Sequence, residues 1–297
     1  MDWGISLTGL GVGFVVGLTG MGGGALMTPI LVLFFGINPL TAVSSDLMAS
    51  LIMKPFGAGV HARRGTVNWK LVRWLVIGSV PAAFAGVVVL KALGGNDLQD
   101  TLKVLLGAAL LVASVSIVIR QQIQRRREMS EPVEGAQHRI VLRPVPTILI
   151  GIAGGFIVGM TSVGSGSLMI VMLLLLYPTL SAGQLVGTDL VQAIPLVAAA
   201  AFGHLLFGDF ELGLTTALLV GAIPGVYLGA RISSRAPDRV IRPILVVVLA
   251  LSGAKLLGAS DEVVISLLVV SAAVALAMGA RWWWRRAHRP MAHAGHA

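Results

Sequence analysis

Two aspartates sit deep in stretches that otherwise carry almost no charge. Asp46 follows Ser44 and Ser45, and Asp189 follows Gly187 and Thr188, 143 residues further on. A carboxylate inside an apolar helix is costly to bury, so its default reading is functional. The chemistry open to it is ion coupling, by taking up a proton or coordinating sodium. The competing reading is a helix N-cap, where Asp accepts backbone N–H groups. Lys54 lies two turns beyond Asp46 on roughly the same face, beside Pro55. It can counter the charge of an anion, pair with Asp46, or snorkel towards the interface. Gln192, one turn after Asp189, can line a polar substrate path.

Two glycine clusters offer a different chemistry. Gly22, Gly23 and Gly24 follow Thr19, while Gly164 and Gly166 alternate with Ser162, Ser165 and Ser167 after Thr161. A half-helix starting just after each cluster would aim unpaired N–H groups and its positive dipole end into the membrane. Two such ends facing each other hold an anion without any side-chain charge. The hydroxyls of Thr19, Thr161, Ser162, Ser165 and Ser167 would add donors. The alternative is that the glycines are packing notches. No Gly-Lys-Ser/Thr follows either cluster, which excludes a nucleotide phosphate loop. His61 and His204 sit at helix ends before a glycine, as gates or proton relays or as interfacial and C-capping groups. His288, His293 and His296 read as part of a polar tail rather than as a metal site. Paired carboxylates and histidine clusters suited to catalysis are absent, so no enzyme and no cofactor is expected.

The elements that must position these groups are membrane helices. The 297-residue chain is 56% hydrophobic and 12% charged, with a mean hydropathy of +0.89. Soluble domains are about 25% charged. Only helices and closed barrels satisfy their backbone in lipid, and the long continuous apolar runs lack a barrel's alternation. Apolar runs that reach the necessary ~20 residues or nearly so fall at 4–36, 41–61, 71–90, 101–119, 144–177, 182–207, 212–230, 240–257 and 262–284, of which 4–36 and 144–177 are too long for one span and are interrupted by glycines. The net charge of +9 does not signal nucleic acid, because the arginines cluster in short loops rather than on a basic face. There is no Cys, hence no disulfide or thiolate metal site. The N-terminus lacks a basic n-region and a cleavage site, so the first helix is expected to insert and stay.

Loop charge sets the orientation. Basic regions are Arg63 to Arg73, Arg120 to Arg143, Arg231 to Arg242, and Arg281 to Arg289; the loops holding Asp97, Asp209 and Asp261 are neutral or acidic. By the positive-inside rule the basic loops are cytoplasmic. Residue 143 is then inside and residue 209 outside, yet two apolar segments lie between them. The crossing number must be odd, so 144–177 has to begin and end on one side, as a hairpin broken at its glycines. By analogy 4–36 does the same. The N-terminus is expected outside and the C-terminus in the cytoplasm, in a bacterial-type inner membrane. Trp282, Trp283 and Trp284, next to Arg285 and Arg286, read as an interfacial anchor.

The two long segments repeat each other. The stretch from Gly13 to Met27 aligns with that from Gly155 to Met169, with nine of fifteen positions identical. Downstream, Asp46, His61, Gly65, Gly78, Pro81 and Gly86 meet Asp189, His204, Gly208, Gly221, Pro224 and Gly229. With His61 at the inner edge and His204 at the outer, the halves are inverted. Inverted repeats with interrupted helices mark secondary transporters, with a midplane site between the breaks. The expected fold is an all-α integral membrane bundle of two inverted repeats, each beginning with a Gly-broken helical hairpin, plus one extra C-terminal transmembrane helix. Its divisions are 1–120 for the first repeat, 121–143 for a basic cytoplasmic linker, 144–258 for the second repeat, and 259–297 for the extra helix and tail.

The duplicated motif, Gly20-Met-Gly-Gly-Gly-Ala-Leu-Met-Thr-Pro29 and Ser162-Val-Gly-Ser-Gly-Ser-Leu-Met169, resembles that of the sulfite exporter TauE/SafE family. So does the run Ile241-Arg-Pro-Ile-Leu-Val-Val-Val-Leu-Ala-Leu-Ser-Gly-Ala-Lys-Leu-Leu257. The resemblance covers roughly residues 5–258. It departs at Val171, which stands where the first motif has Pro29, at the Asp after each hairpin, and in the extra C-terminal span. It implies export of a small sulfur-containing anion, such as sulfite or an organosulfonate like sulfoacetate. An anion channel, and ion-coupled uptake of another small anion, are the alternatives. The expected partners are that anion, the lipid bilayer, a proton or sodium as coupling ion, and a second copy if the chain dimerises, with no nucleic acid.

Overall fold

The computed structural model describes residues 3–19, 23–94, 98–129, 141–207, 210–232 and 238–269. Gly22, half of the C-terminal apolar run and the tail with its tryptophans and histidines lie outside them. The described residues are all helical in architecture. In order the helices are α1 (Trp3–Thr19), α2 (Gly24–Phe34), α3 (Pro39–Arg63), α4 (Trp69–Gly94), α5 (Leu98–Met129), α6 (Pro144–Thr161), α7 (Leu168–Leu176), α8 (Ala182–Phe207), α9 (Leu212–Ile232) and α10 (Asp238–Leu256). An eleventh, α11, covers 261–269.

Both long apolar segments are broken at their glycines. The first divides into α1 and α2, the second into α6 and α7. The second break holds three left-handed residues: Ser162 (φ 59°), Gly164 (φ 123°) and Gly166 (φ 90°). Only glycine adopts such angles without strain. Ser162 is held there by its N–H, which donates to Val158 O at 2.7 Å. This hairpin closes on itself at its base. The Arg143 N–H donates to Tyr177 Oη at 2.9 Å, and Thr147 Oγ1 and Tyr177 Oη are 2.6 Å apart. Residues 143 and 177 therefore lie together, as a chain that turns back requires.

Among the described residues five helices, α4, α5, α6, α8 and α9, are long and apolar enough to cross a membrane. Helix α3 has the length, at 25 residues, but buries Ser44, Ser45, Asp46, Ser50 and Lys54. Large apolar side chains such as Leu7, Leu149, Leu212 and Tyr227 cover the outer surface, as expected where lipid is the solvent. Helix α5 outruns its apolar stretch. That stretch ends at Ile119, while the helix continues to Met129.

Two seams hold the bundle, α1 on α9 and α4 on α6. Both are backbone-to-backbone contacts, possible because glycine has no Cβ. A Cβ on Gly9 would come within 2.5 Å of the Leu218 carbonyl, and one on Gly151 within 2.5 Å of the Leu75 carbonyl. Gly221 meets Ser6 and Leu10 as Gly78 meets Ile148 and Ile152. Gly229 meets Phe14 and Leu18, while Gly86 meets Phe156 and Met160. Each of these contacts in one seam has its counterpart in the other at an offset of 142 or 143 residues. Between the seams α3 packs on α8, and α5 on α10.

Candidate functional site

The buried centre of α3 and α8 gathers the charges. Asp46 and Asp189 are 0% and 1% exposed. Neither is a helix cap. Asn38 caps α3, its side chain accepting from Leu40 N at 2.9 Å, and α8 starts at Ala182, two turns before Asp189. The capping alternative is thus removed: both carboxylates belong to helix interiors.

Each carboxylate faces a glycine-rich break. Ser162 Oγ donates to Asp46 Oδ2 at 2.5 Å. The other oxygen, Oδ1, is buried, and the Thr28 hydroxyl is turned to the same carboxylate. A Cβ on Gly23 would stand 3.6 Å from Asp46 Oδ1 and 3.8 Å from Ser50 Oγ. Asp189 Oδ1 accepts from Gln192 Nε2 at 3.0 Å, and the Gly166 backbone N–H is turned to the same carboxylate. Gln192 is in turn held by Ser79 Oγ at 3.3 Å. Lys54 links the two sides. Its Nζ donates to Ser165 Oγ at 2.8 Å, within electrostatic reach of both Asp189 and Asp46. Lys54 is 7% exposed, so it does not snorkel out to the surface.

The histidines occupy related places. His204 is fully buried, not interfacial. Its Nε2 donates to Gly159 O at 2.8 Å, and its Nδ1 lies 3.0 Å from Ser44 Oγ. A carbonyl can only accept, so the neutral ring carries its proton on Nε2. His61 is half-buried, with Nδ1 2.9 Å from Thr66 Oγ1. A Cβ on Gly187 would come 3.2 Å from its ring. Ser44 and Gly187 are themselves 143 residues apart. Both histidines thus rest against the first turns of the other half's aspartate helix.

Of the hydroxyls expected at the breaks, Thr161 Oγ1 turns inward to Ile157 O and Val163 O. Thr19 Oγ1 donates to Val15 O. Ser167 is the N-cap of α7 and makes no capping bond. Thr19 and Ser167 line a small cleft together with Ile117, Arg120 and Arg242. The two arginines belong to the basic regions assigned by sequence to cytoplasmic loops. Arg120 is instead 8% exposed, on the body of α5. It continues the buried stripe of Leu102, Leu106, Leu110, Ala113 and Ile117, and Arg242 opens the stripe of Leu245, Leu249, Ser252 and Leu256. This three- and four-residue spacing could have placed both arginines on facing helix stripes from sequence.

A helical bundle whose lipid-facing shell encloses a hydrogen-bonded set of carboxylates, a lysine and broken-helix ends defines a membrane transport protein. The family model described as sulfite exporter TauE/SafE matches residues 5–256, and the chain belongs to that family of transporters, which are not enzymes. The "Probable membrane transporter protein YjnA" of Bacillus subtilis (strain 168) is 40% identical over 263 residues, covering 86% of this chain and 100% of that protein. "Probable membrane transporter protein YdhB" of the same organism is 26% identical, covering 83% and 96%. "Probable membrane transporter protein MJ0441" of Methanocaldococcus jannaschii is 27% identical, covering 82% and 91%. No solved structure matches the chain.

Proposed function

We propose that the chain is a secondary transporter that exports a small sulfur oxyanion, sulfite or an organosulfonate such as sulfoacetate, by alternating access. The carrying observation is the cross-bracing of the centre: Asp46 of one half is held by Ser162 of the other, and Lys54 by Ser165. The matched contacts of the two seams support a pair of inverted repeats, 1–120 and 144–258, joined by 121–143. Substrate sits near the midplane, between the breaks at Gly22, Gly23 and Gly24 and at Gly164 and Gly166. The hydroxyls of Ser162 and Ser165 line it, with those of Thr19, Thr161 and Ser167 nearby on the same breaks and Lys54 and Gln192 on the aspartate helices. Lys54 offers the positive charge an anion needs in a low-dielectric interior.

Asp46 and Asp189 carry the coupling proton or sodium. The buried Asp46 carboxylate with the Thr28 hydroxyl turned to it supports this, since such oxygens suit a small cation or a proton. His61 and His204, each braced against the opposing helix, serve as gates. The N-terminus lies outside and the C-terminus in the cytoplasm of the inner membrane, as the basic loops favour. Counterflow of labelled sulfite and sulfoacetate in liposomes tests the reading. Saturable exchange that collapses in Asp46→Asn supports it. Non-saturating flux would make the protein a channel, and no flux of either compound by folded protein would remove the sulfur oxyanion.

A further inference from the structure

We infer that the two aspartates divide the work: Asp46 alone takes up the coupling ion, as a proton, and Asp189 is the permanent counter-charge of Lys54. The inference rests on the transporter reading above and narrows its coupling site from two carboxylates to one.

The two carboxylates are equivalent in the repeat but not in their surroundings. Asp189 is met by N–H donors and cations. Gln192 Nε2 donates to it at 3.0 Å, the Gly166 backbone N–H is turned to it, and the charges of Lys54 and Arg120 lie within electrostatic reach. Amide N–H, ammonium and guanidinium groups donate and do not accept. That shell satisfies a carboxylate as an anion, whereas the O–H of a carboxylic acid would be aimed among donors. Asp46 is met by hydroxyls. Ser162 Oγ donates to Oδ2 at 2.5 Å, and the Thr28 hydroxyl is turned to the same carboxylate. Ser50, one turn on, shares Gly23 as a neighbour with Oδ1. A hydroxyl both donates and accepts, and its hydrogen rotates to suit. These groups therefore donate to the bare carboxylate and accept from the protonated one without any heavy atom moving.

The sequence carries the same division. At the repeat offsets, the partners of Asp189 are lost around Asp46: Gln192 corresponds to Ala49, its holder Ser79 to Ala222, and Lys54 to Val197. The hydroxyls of Asp46 are likewise lost around Asp189: Ser162 corresponds to Gly20, Thr28 to Ile170, and Ser50 to Ala193. The repeat keeps both carboxylates and exchanges what surrounds them.

The bond from Ser162 also gives the proton something to act on. A hydrogen bond to an ionised acceptor is roughly twice as strong as a neutral one, so proton uptake by Asp46 loosens the brace between the halves. The other charged or titratable groups about the centre are Lys54 on α3 itself, Asp189 and His204 on α8, and Arg120 on α5. Helix α2 and the residues of both breaks contribute none.

The test is infrared difference spectroscopy of the full chain in lipid, acidic minus neutral, reading the C=O stretch of a buried carboxylic acid. Wild type is compared with Asp46→Asn and with Asp189→Asn combined with Lys54→Met, a double variant that removes the charge pair together so that no buried lysine is stranded. Gel filtration checks folding. The expected result is a band that appears on acidification in the wild type, is lost in Asp46→Asn and persists in the double variant. A band that survives in folded Asp46→Asn, or is lost in the folded double variant, overturns the division of roles. A wild type that shows no such band at any pH where it stays folded, or whose carboxyl signal responds to sodium at fixed pH, overturns the proton. Each of these failures leaves the transporter reading standing, because that reading is decided by counterflow.

Discussion

Gly24 is where the two breaks touch, and Gly24→Ala tests whether that contact matters. A Cβ there would overlap the Ser162 carbonyl oxygen and stand 2.6 Å from Ser162 Oγ. Neither obstacle is a flexible side-chain end. Ser162 is fixed by its left-handed φ, by its N–H bond to Val158 O, and by its bond to Asp46. Relief requires the second break to retreat from α2, which draws Ser162 away from the carboxylate. Overpacking of this kind costs about 1–3 kcal/mol, and a lost hydrogen bond to a charged group about 1.5–3 kcal/mol. A combined loss of about 3 kcal/mol or more corresponds to over a hundredfold in the population of the braced state. The assay pairs thermal unfolding in detergent with liposome counterflow, using Gly11→Ala as the control, because nothing lies within 4 Å of a Cβ at Gly11. A clear drop in melting temperature and in exchange is expected for Gly24→Ala alone. If the two variants behave alike in both assays, the close contact of the breaks is refuted.

Two further outcomes follow from the same geometry. Lys54→Met leaves two buried carboxylates without their shared cation, which should cost about 3–5 kcal/mol. Adding Asp46→Asn should recover part of that loss, read as a higher melting temperature for the double variant than for Lys54→Met. Tyr177→Phe removes the hydroxyl that ties Arg143 and Thr147 to the end of α7. A cost of about 1 kcal/mol is expected, with faster hydrogen exchange of the Arg143 amide and little change in the central helices.

The breaks were legible because glycine clusters interrupt apolar runs too long for one span, and the parity of basic loops demanded a turn-back between 144 and 177. The base of that hairpin, Arg143 against Tyr177, follows from the same argument. The burial of Asp46, Lys54 and Asp189 was legible from their depth in apolar sequence. Their partners were not. Asp46 meets Ser162 and Lys54 meets Ser165 across more than a hundred residues, and local pattern carries no information about which helix faces which. Arg120 was read as a loop charge because hydropathy ends at Ile119. Helical phase, which runs on through Arg120, was the better guide. His204 was misplaced at the interface for a similar reason: position along a helix says little about the depth of its neighbours.

The seam between α1 and α9 has a consequence for how the molecule is made. α4 and α6 emerge from the ribosome close together, but α1 is complete roughly 200 residues before its partner begins. At about 5–20 residues per second that is about 10–40 s. During this time the glycine face of α1, shaped for the backbone of Leu218 and Ala222, has only lipid or earlier helices against it. Lipid exacts little for this wait, since acyl chains are as apolar as the side chains they stand in for. The first helix to enter the membrane is therefore among the last to find its place, since its seam closes only when α9 is complete.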